Sequence, residues 1–274
     1  MKFTRTIATL IAILLVTSAL AACGKSEGDD KALNLGFFPG PYADLFKRGV
    51  QPILEKEGYK ITITEFTNAL QPNTSLSEGK IDANIYQHAA YLESYKEQQN
   101  AKELSELIKI PSAPAGIYSK KFKSLDELKD GAIVSLPNDP SNLARSLVLL
   151  QTAGLIKLKD GFTPLKASEK DIVENSKNLT LKQLEAPGLP RSLDDVDFAV
   201  IPGSNVIASG LKLAEALLLE DPAAELQIIV AVNEKHKDSK KLTALADAYK
   251  SDEFKQFIAS DDKAKGFSTP SYWK

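Results

Sequence analysis

Asn138-Asp139-Pro140-Ser141-Asn142-Leu143-Ala144-Arg145 is the segment of this chain whose residue types and spacing best suit chemistry. Asp139 followed by Pro140 reads as an N-cap with proline at the first helical position. It follows the apolar run Ala132 to Pro137, so a helix would begin at the carboxyl end of a strand, with free backbone N–H groups facing outward. Asn142 and Arg145 are three residues apart and project from one helical face. A planar guanidinium pairs with a carboxylate through two parallel hydrogen bonds, so the pair suits a small anion such as the acid group of an amino acid. A capped helix with its arginine on a solvated face fits the same residues, and both readings stand at this point.

Tyr86-Gln87-His88-Ala89-Ala90-Tyr91 also follows a strand end, and its two phenols and one imidazole can line a pocket with an apolar wall and polar tips. No catalytic partner for His88 stands out. His236 lies among Lys and Asp and reads as surface, Ser135 and Ser204 sit in no nucleophile turn, and no close carboxylate pair is evident. The pattern favours binding over catalysis, with no catalytic residue and no cofactor. With 34 basic against 36 acidic residues interspersed along the chain, there is no basic stripe for nucleic acid. Two histidines and one cysteine leave little for a transition metal.

That cysteine fixes the expected location. Lys2 and Arg5 precede an apolar stretch from Ile7 to Leu20, which ends in Leu20-Ala21-Ala22-Cys23. The layout is that of a secretory signal, too short to span a bilayer as a helix. Residues 1–22 are read as the signal peptide. Cys23 falls where bacterial lipoproteins carry their lipid, so the protein is expected to pass the inner membrane and stay at the cell envelope through an anchor on Cys23. One acyl chain holds a membrane only marginally, and several chains at one residue meet the need. Residues 23–31, polar and without periodicity, read as a flexible tether.

The elements that would position these groups alternate from Leu33 onward. Strands are expected over 32–38, 60–66 and 81–86, with helices over 43–56, 72–78 and 89–98 between them. A second series has an extended crossing at 113–118, a short capped helix starting at 124–128, a strand over 132–137, the helix from Pro140 to Gly154, and strands over 179–184 and 197–201 with a helical turn at 190–195. Residues 226–232 read as a strand that returns to the first unit, and 239–260 as one long amphipathic helix. Such alternation argues for sheets covered by helices, with ligands gathering at the carboxyl ends of the strands.

Taken in order, several segments resemble the NlpA/MetQ family of lipoproteins, the binding components of methionine-type ABC importers. They include Pro39-Gly40-Pro41, Gln71-Pro72-Asn73, Ile81-Asp82-Ala83-Asn84, Gln87-His88, Asn138-Asp139-Pro140 and Leu189-Pro190-Arg191-Ser192-Leu193-Asp194-Asp195. The resemblance implies an α/β, two-lobed type II periplasmic-binding-protein fold, each lobe a mostly parallel sheet flanked by helices. Residues 32–113 and 225–274 would form lobe 1 and residues 114–224 lobe 2. It implies a monomer that captures an amino acid, methionine before others, and delivers it to a permease and its ATPase. Arg145 would clamp the ligand carboxylate, while Asn142, Tyr86, His88, Tyr91, Ser204 and Asn205 would line the cleft. Arg145→Ala is then expected to abolish binding and leave the fold intact. The chain departs from the pattern of methionine-binding members at Ala69, where they have tyrosine, and at Pro202-Gly203-Ser204-Asn205, where they carry Asn-Gly-Asn-Tyr. These changes remove two pocket amides and leave open a small peptide, another amino acid, or a surface adhesin with a repurposed cleft.

Overall fold

The computed structural model describes residues 31–273. The leader, Cys23 and the tether as far as Asp30 lie outside the described residues. None of the described helices is long and apolar enough to cross a membrane.

Strand β1 (Ala32–Phe37) buries Leu33, Leu35 and Phe37 completely and is an interior strand of the first sheet. It pairs in parallel with β2 (Lys60–Glu65) on one side and with β3 (Ala83–Ile85) on the other. The chain between β1 and β2 is helical from Pro41 to Lys56, as α1 (Pro41–Leu45), one π-helical turn (Phe46–Val50) and α2 (Gln51–Lys56). The wide turn has a local cause: Pro52 has no N–H to return to the preceding turn, and its ring crowds the carbonyl it would have met. Gly49 within this turn gives room to two rings, because a Cβ there would lie 2.5 Å from the Phe257 ring, which would have to shift. Helix α3 (Gln71–Ser77) precedes β3, and α4 (Ala89–Gln99) joins it to β4 (Leu104–Lys109). Strand β4 went unanticipated. It is an edge strand in which Leu104, Leu107 and Ile108 are broken up by Ser105, Glu106 and Lys109 without a two-residue period, so no clean alternation marks it.

The second sheet begins at β5 (Gly116–Tyr118), a strand inside what reads by sequence as a mere crossing. Next come β6 (Ile133–Pro137), α5 (Pro140–Thr152), a small antiparallel pair of β7 (Lys157–Leu158) and β8 (Ile172–Glu174), and β9 (Thr180–Leu184). Helix α6 (Leu189–Ser192), β10 (Phe198–Ile201), α7 (Gly203–Ala208) and β11 (Leu218–Leu219) complete it. The chain then returns to the first sheet through β12 (Ile229–Asn233), which inserts antiparallel between β3 and β4. The orders are β2-β1-β3-β12-β4 and β11-β5-β10-β6-β9. Each sheet is evenly mixed, with two parallel and two antiparallel pairings, because one strand of each comes from the far side of a crossing.

Residues 239–260 are not one helix. Helix α8 (Lys240–Lys250) stops at Ser251, whose extended backbone (ψ 150°) opens a new helix, α9 (Asp252–Ser260). The Ser251 hydroxyl accepts the Phe254 N–H at 3.1 Å, with Asp252 and Glu253 in the first turn, so the sequence Ser-Asp-Glu-Phe is itself an N-terminal signal. Both helices turn apolar faces to the first sheet through Leu242, Leu245, Tyr249 and Phe254.

Candidate functional site

A cavity of about 640 Å³ lies between the two sheets. Its lining comes mainly from the loops after β1 (Phe38–Tyr42), β2 (Thr67–Leu70), β3 (Tyr86–Tyr91), β6 (Asn138–Arg145), β9 (Glu185–Pro187) and β10 (Pro202–Asn205). All six parallel-paired strands therefore present their carboxyl ends to it, the position where open α/β sheets gather ligands. Gly203 at the start of α7 lets that helix pack directly on the crossing segment. A Cβ there would stand 2.4 Å from the Pro114 carbonyl oxygen in the crossing segment.

On the first wall, Tyr86 lies between Phe38 (centroids 6.1 Å apart, stacked) and Tyr91 (6.0 Å, edge-on). The Tyr86 hydroxyl donates to the Ala69 carbonyl at 2.7 Å. Burial above all, with the neighbouring tyrosines and acids adding to it, pushes both phenols up, so they remain neutral donors. Behind this wall, Asn73, Asn84 and Gln87 form a closed amide network. Gln87 Nε2 donates to Asn73 Oδ1 (2.6 Å) and Asn84 Oδ1 (2.8 Å), while Asn73 and Asn84 each donate to a neighbour at 2.9 Å. Three side-chain amides at 0–3 % exposure satisfy one another, and they fix the chain immediately before His88.

His88 joins the walls. Its Nδ1 accepts the Tyr91 N–H at 3.0 Å, capping α4, so the ring proton is on Nε2. Nε2 donates to Asn142 Oδ1 at 3.1 Å. The Asn142 amide in turn donates to the Asp139 carboxylate at 3.0 Å, and Asp139 caps α5 by accepting the Asn142 N–H at 3.0 Å. Burial, and after it the Arg145 charge, lowers His88 to about 4 against the weaker pull of Asn142 and the acids. The imidazole is therefore neutral at physiological pH.

Arg145 lines the cavity from α5, but its fork is not empty. Nε donates to Glu220 Oε2 at 2.8 Å, and Nη2 donates to Glu220 Oε1. Glu220 Oε1 also accepts the Ala115 N–H at 2.7 Å. Burial pushes the Glu220 carboxyl up, yet the guanidinium charge, its hydrogen bonds and the Ala115 N–H together hold it below the usual carboxylate range. Sequence reasoning places Arg145, Asn142, Tyr86, His88 and Tyr91 at one site, and the structure brings all five to the cavity wall. Ser204 and Asn205 line it too, half-buried in the first turn of α7. Glu220 was missed. It ends the apolar run Leu217-Leu218-Leu219, and its partner stands 75 residues earlier, so only a search for a counter-charge to Arg145 finds it. Among the described residues no cluster of histidine, cysteine and acids could hold a metal ion.

The family model described as NlpA lipoprotein matches residues 33–271. The chain belongs to the NlpA lipoprotein family. It is 41 % identical over 246 residues to the D-methionine-binding lipoprotein MetQ of Salmonella typhi, covering 89 % of this chain and 90 % of that protein. Among solved structures, a nutrient binding protein from Burkholderia cenocepacia bound to methionine superposes with a TM-score of 0.81 at 38 % identity, covering 86 % of this chain and 99 % of the other. The crystal structure of the methionine binding protein MetQ matches with a TM-score of 0.81 at 37 % identity, covering 88 % and 98 %. The NlpA fold thus accounts for both mixed sheets and for the cavity between them.

Proposed function

We propose that this NlpA lipoprotein is an extracytoplasmic solute-binding protein that captures methionine in the cleft between its sheets and hands it to the permease and ATPase of an ABC importer. The observation that carries the reading is the pairing, within one cavity at the strand ends, of the Arg145 guanidinium, whose Nη1 edge Glu220 leaves open, with an opposite wall of Phe38, Tyr86 and Tyr91. One end takes an acid group and the other an apolar side chain. The methionine-bound neighbour and the MetQ relatives support methionine as the amino acid. Hinge motion of the lobes 32–113 with 225–274 and 114–224 around the crossing segments would admit and enclose it. Lipid on Cys23, within Leu20-Ala21-Ala22-Cys23, would hold the monomer at the envelope beside the permease.

The test uses the chain from Gly24 onward, unfolded and refolded to strip any co-purified ligand, then melted against every amino acid and both stereoisomers of methionine. At a hundredfold excess over Kd, methionine is expected to add about 2.7 kcal/mol of stability. A full panel that leaves the melting temperature unmoved would overturn the reading.

A further inference from the structure

We infer that Glu220 is a positioning residue that makes the cleft select a zwitterion over a bare carboxylate, an inference that rests on the amino-acid-binding reading above. Glu220 is tied to Ala115 through both main chain and side chain: its backbone N–H donates to the Ala115 carbonyl at 3.0 Å, and its Oε1 accepts the Ala115 N–H at 2.7 Å, which fixes the carboxylate beside Arg145. The Arg145 and Glu220 side chains are 5 % and 8 % exposed, and their contact lies in a region of low dielectric.

Two consequences follow for a guest. The first is direction. A guanidinium offers five N–H groups, and Glu220 takes the edge formed by Nε and Nη2. Among the described residues Nη1 donates to nothing, so the end-on edge remains for a ligand acid in the cavity that Arg145 lines. The second is charge. An unpaired buried arginine attracts any carboxylate, whereas Arg145 and Glu220 sum to zero. A bare acid would then add a net negative charge within the width of one guanidinium from Glu220, with Asp139 and Glu185 also on the wall. An amino acid carries its own ammonium beside its acid group and adds no net charge. Arg145 thus supplies the hydrogen bonds, and Glu220 penalises the competitor, which is selectivity by repulsion.

The experiment compares methionine with 4-methylsulfanylbutanoate, the same molecule without its amino group, by titration calorimetry on the stripped protein. The wild type is expected to favour methionine by a factor of about a hundred. Glu220→Gln keeps the size and removes the charge, and the ratio should fall by about tenfold because the bare acid gains ground. Glu220→Asp keeps the charge, so affinity drops for both ligands while the ratio stays. A purely structural role for Glu220 weakens both ligands equally, and an unchanged ratio in Glu220→Gln would overturn the inference. If that variant does not fold, a wild type that binds both compounds alike, or a collapsed ratio in Glu220→Asp, overturns it as well. A wild type that binds no amino acid removes the underlying reading, and this inference with it.

Discussion

The wall of the cleft that follows the first sheet is aromatic and ties its polar atoms mostly to its own backbone, Tyr86 to the Ala69 carbonyl and His88 Nδ1 to the Tyr91 N–H, with only His88 Nε2 reaching across. The wall that follows the second sheet is a charged relay in which Asp139 holds Asn142 and Glu220 holds Arg145. One wall offers shape and apolar surface, and the other offers oriented donors with the charge already balanced. The contrast teaches that a single cleft divides its guest between two kinds of physics. It also teaches that the walls should fail differently: the charged wall in binding and stability together, the aromatic wall by degrees.

The largest effect should come from Arg145→Ala. Methionine binding is expected to disappear from calorimetry. Stability is expected to fall as well, where the sequence alone predicts an intact fold, because the variant strands Glu220 as a buried carboxylate. Breaking a buried pair from one side costs about 3–5 kcal/mol, visible as a lower urea midpoint. The double variant Arg145→Met/Glu220→Met removes both charges and should recover most of that stability without recovering binding. If Arg145→Ala binds methionine normally, the division of labour between the walls is wrong.

His88, the link between the walls, gives the next effect and a pH signature. Its pKa in the folded protein is about 4, below the ordinary histidine value near 6.5, so the unfolded chain binds the extra proton between those values. Stability is then full above pH 6.5 and declines as pH falls toward 4, by on the order of 3 kcal/mol. His88→Asn keeps a favourable N-cap for α4 but removes the titration. The difference in stability between variant and wild type should shrink steadily from pH 6.5 to pH 4. A constant offset across that range would show that His88 does not carry the dependence.

Asn73→Ala probes the support behind the aromatic wall. It takes the acceptor from Asn84 Nδ2 and both partners from one face of Gln87. Stranding buried amides costs about 1–3 kcal/mol, and slackening of Gln87 beside His88 should weaken methionine severalfold without abolishing it. Loss of binding as complete as in Arg145→Ala would mean that the aromatic wall, not the charged one, dominates.

How much of this was legible in the chain depends on how local each cause is. Asp139-Pro140 sets the start and phase of α5, which is why Asn142 and Arg145 could be placed on one face pointing to one cleft. The strands β1, β2, β6 and β10 carry their apolar pattern within a few residues. Glu220 and the amide network are not local. Asn73, Asn84 and Gln87 each read as an ordinary polar residue until the fold buries them together, and β11, the two-residue strand before Glu220, has no pattern to detect. The break at Ser251 was written locally but outweighed by an amphipathic period that runs on through it. Long-range charge pairing and a capping serine inside a good helical pattern are thus the two kinds of signal that periodicity conceals.

The smallest effect separates shape from hydrogen bonding on the aromatic wall. Tyr86→Phe keeps the ring against Phe38 and Tyr91 and removes one hydroxyl, whose bond to the Ala69 carbonyl spans 17 residues of chain. A net loss of about 0.5–1.5 kcal/mol in stability is expected, with methionine affinity changed less than twofold, because the phenol spends its proton on the backbone. Tyr86→Ala, by contrast, removes the apolar surface and should cost affinity in proportion. If Phe weakens methionine as much as Ala does, the Tyr86 hydroxyl reaches the ligand. The aromatic wall would then join the charged one in reading the polar end of the guest.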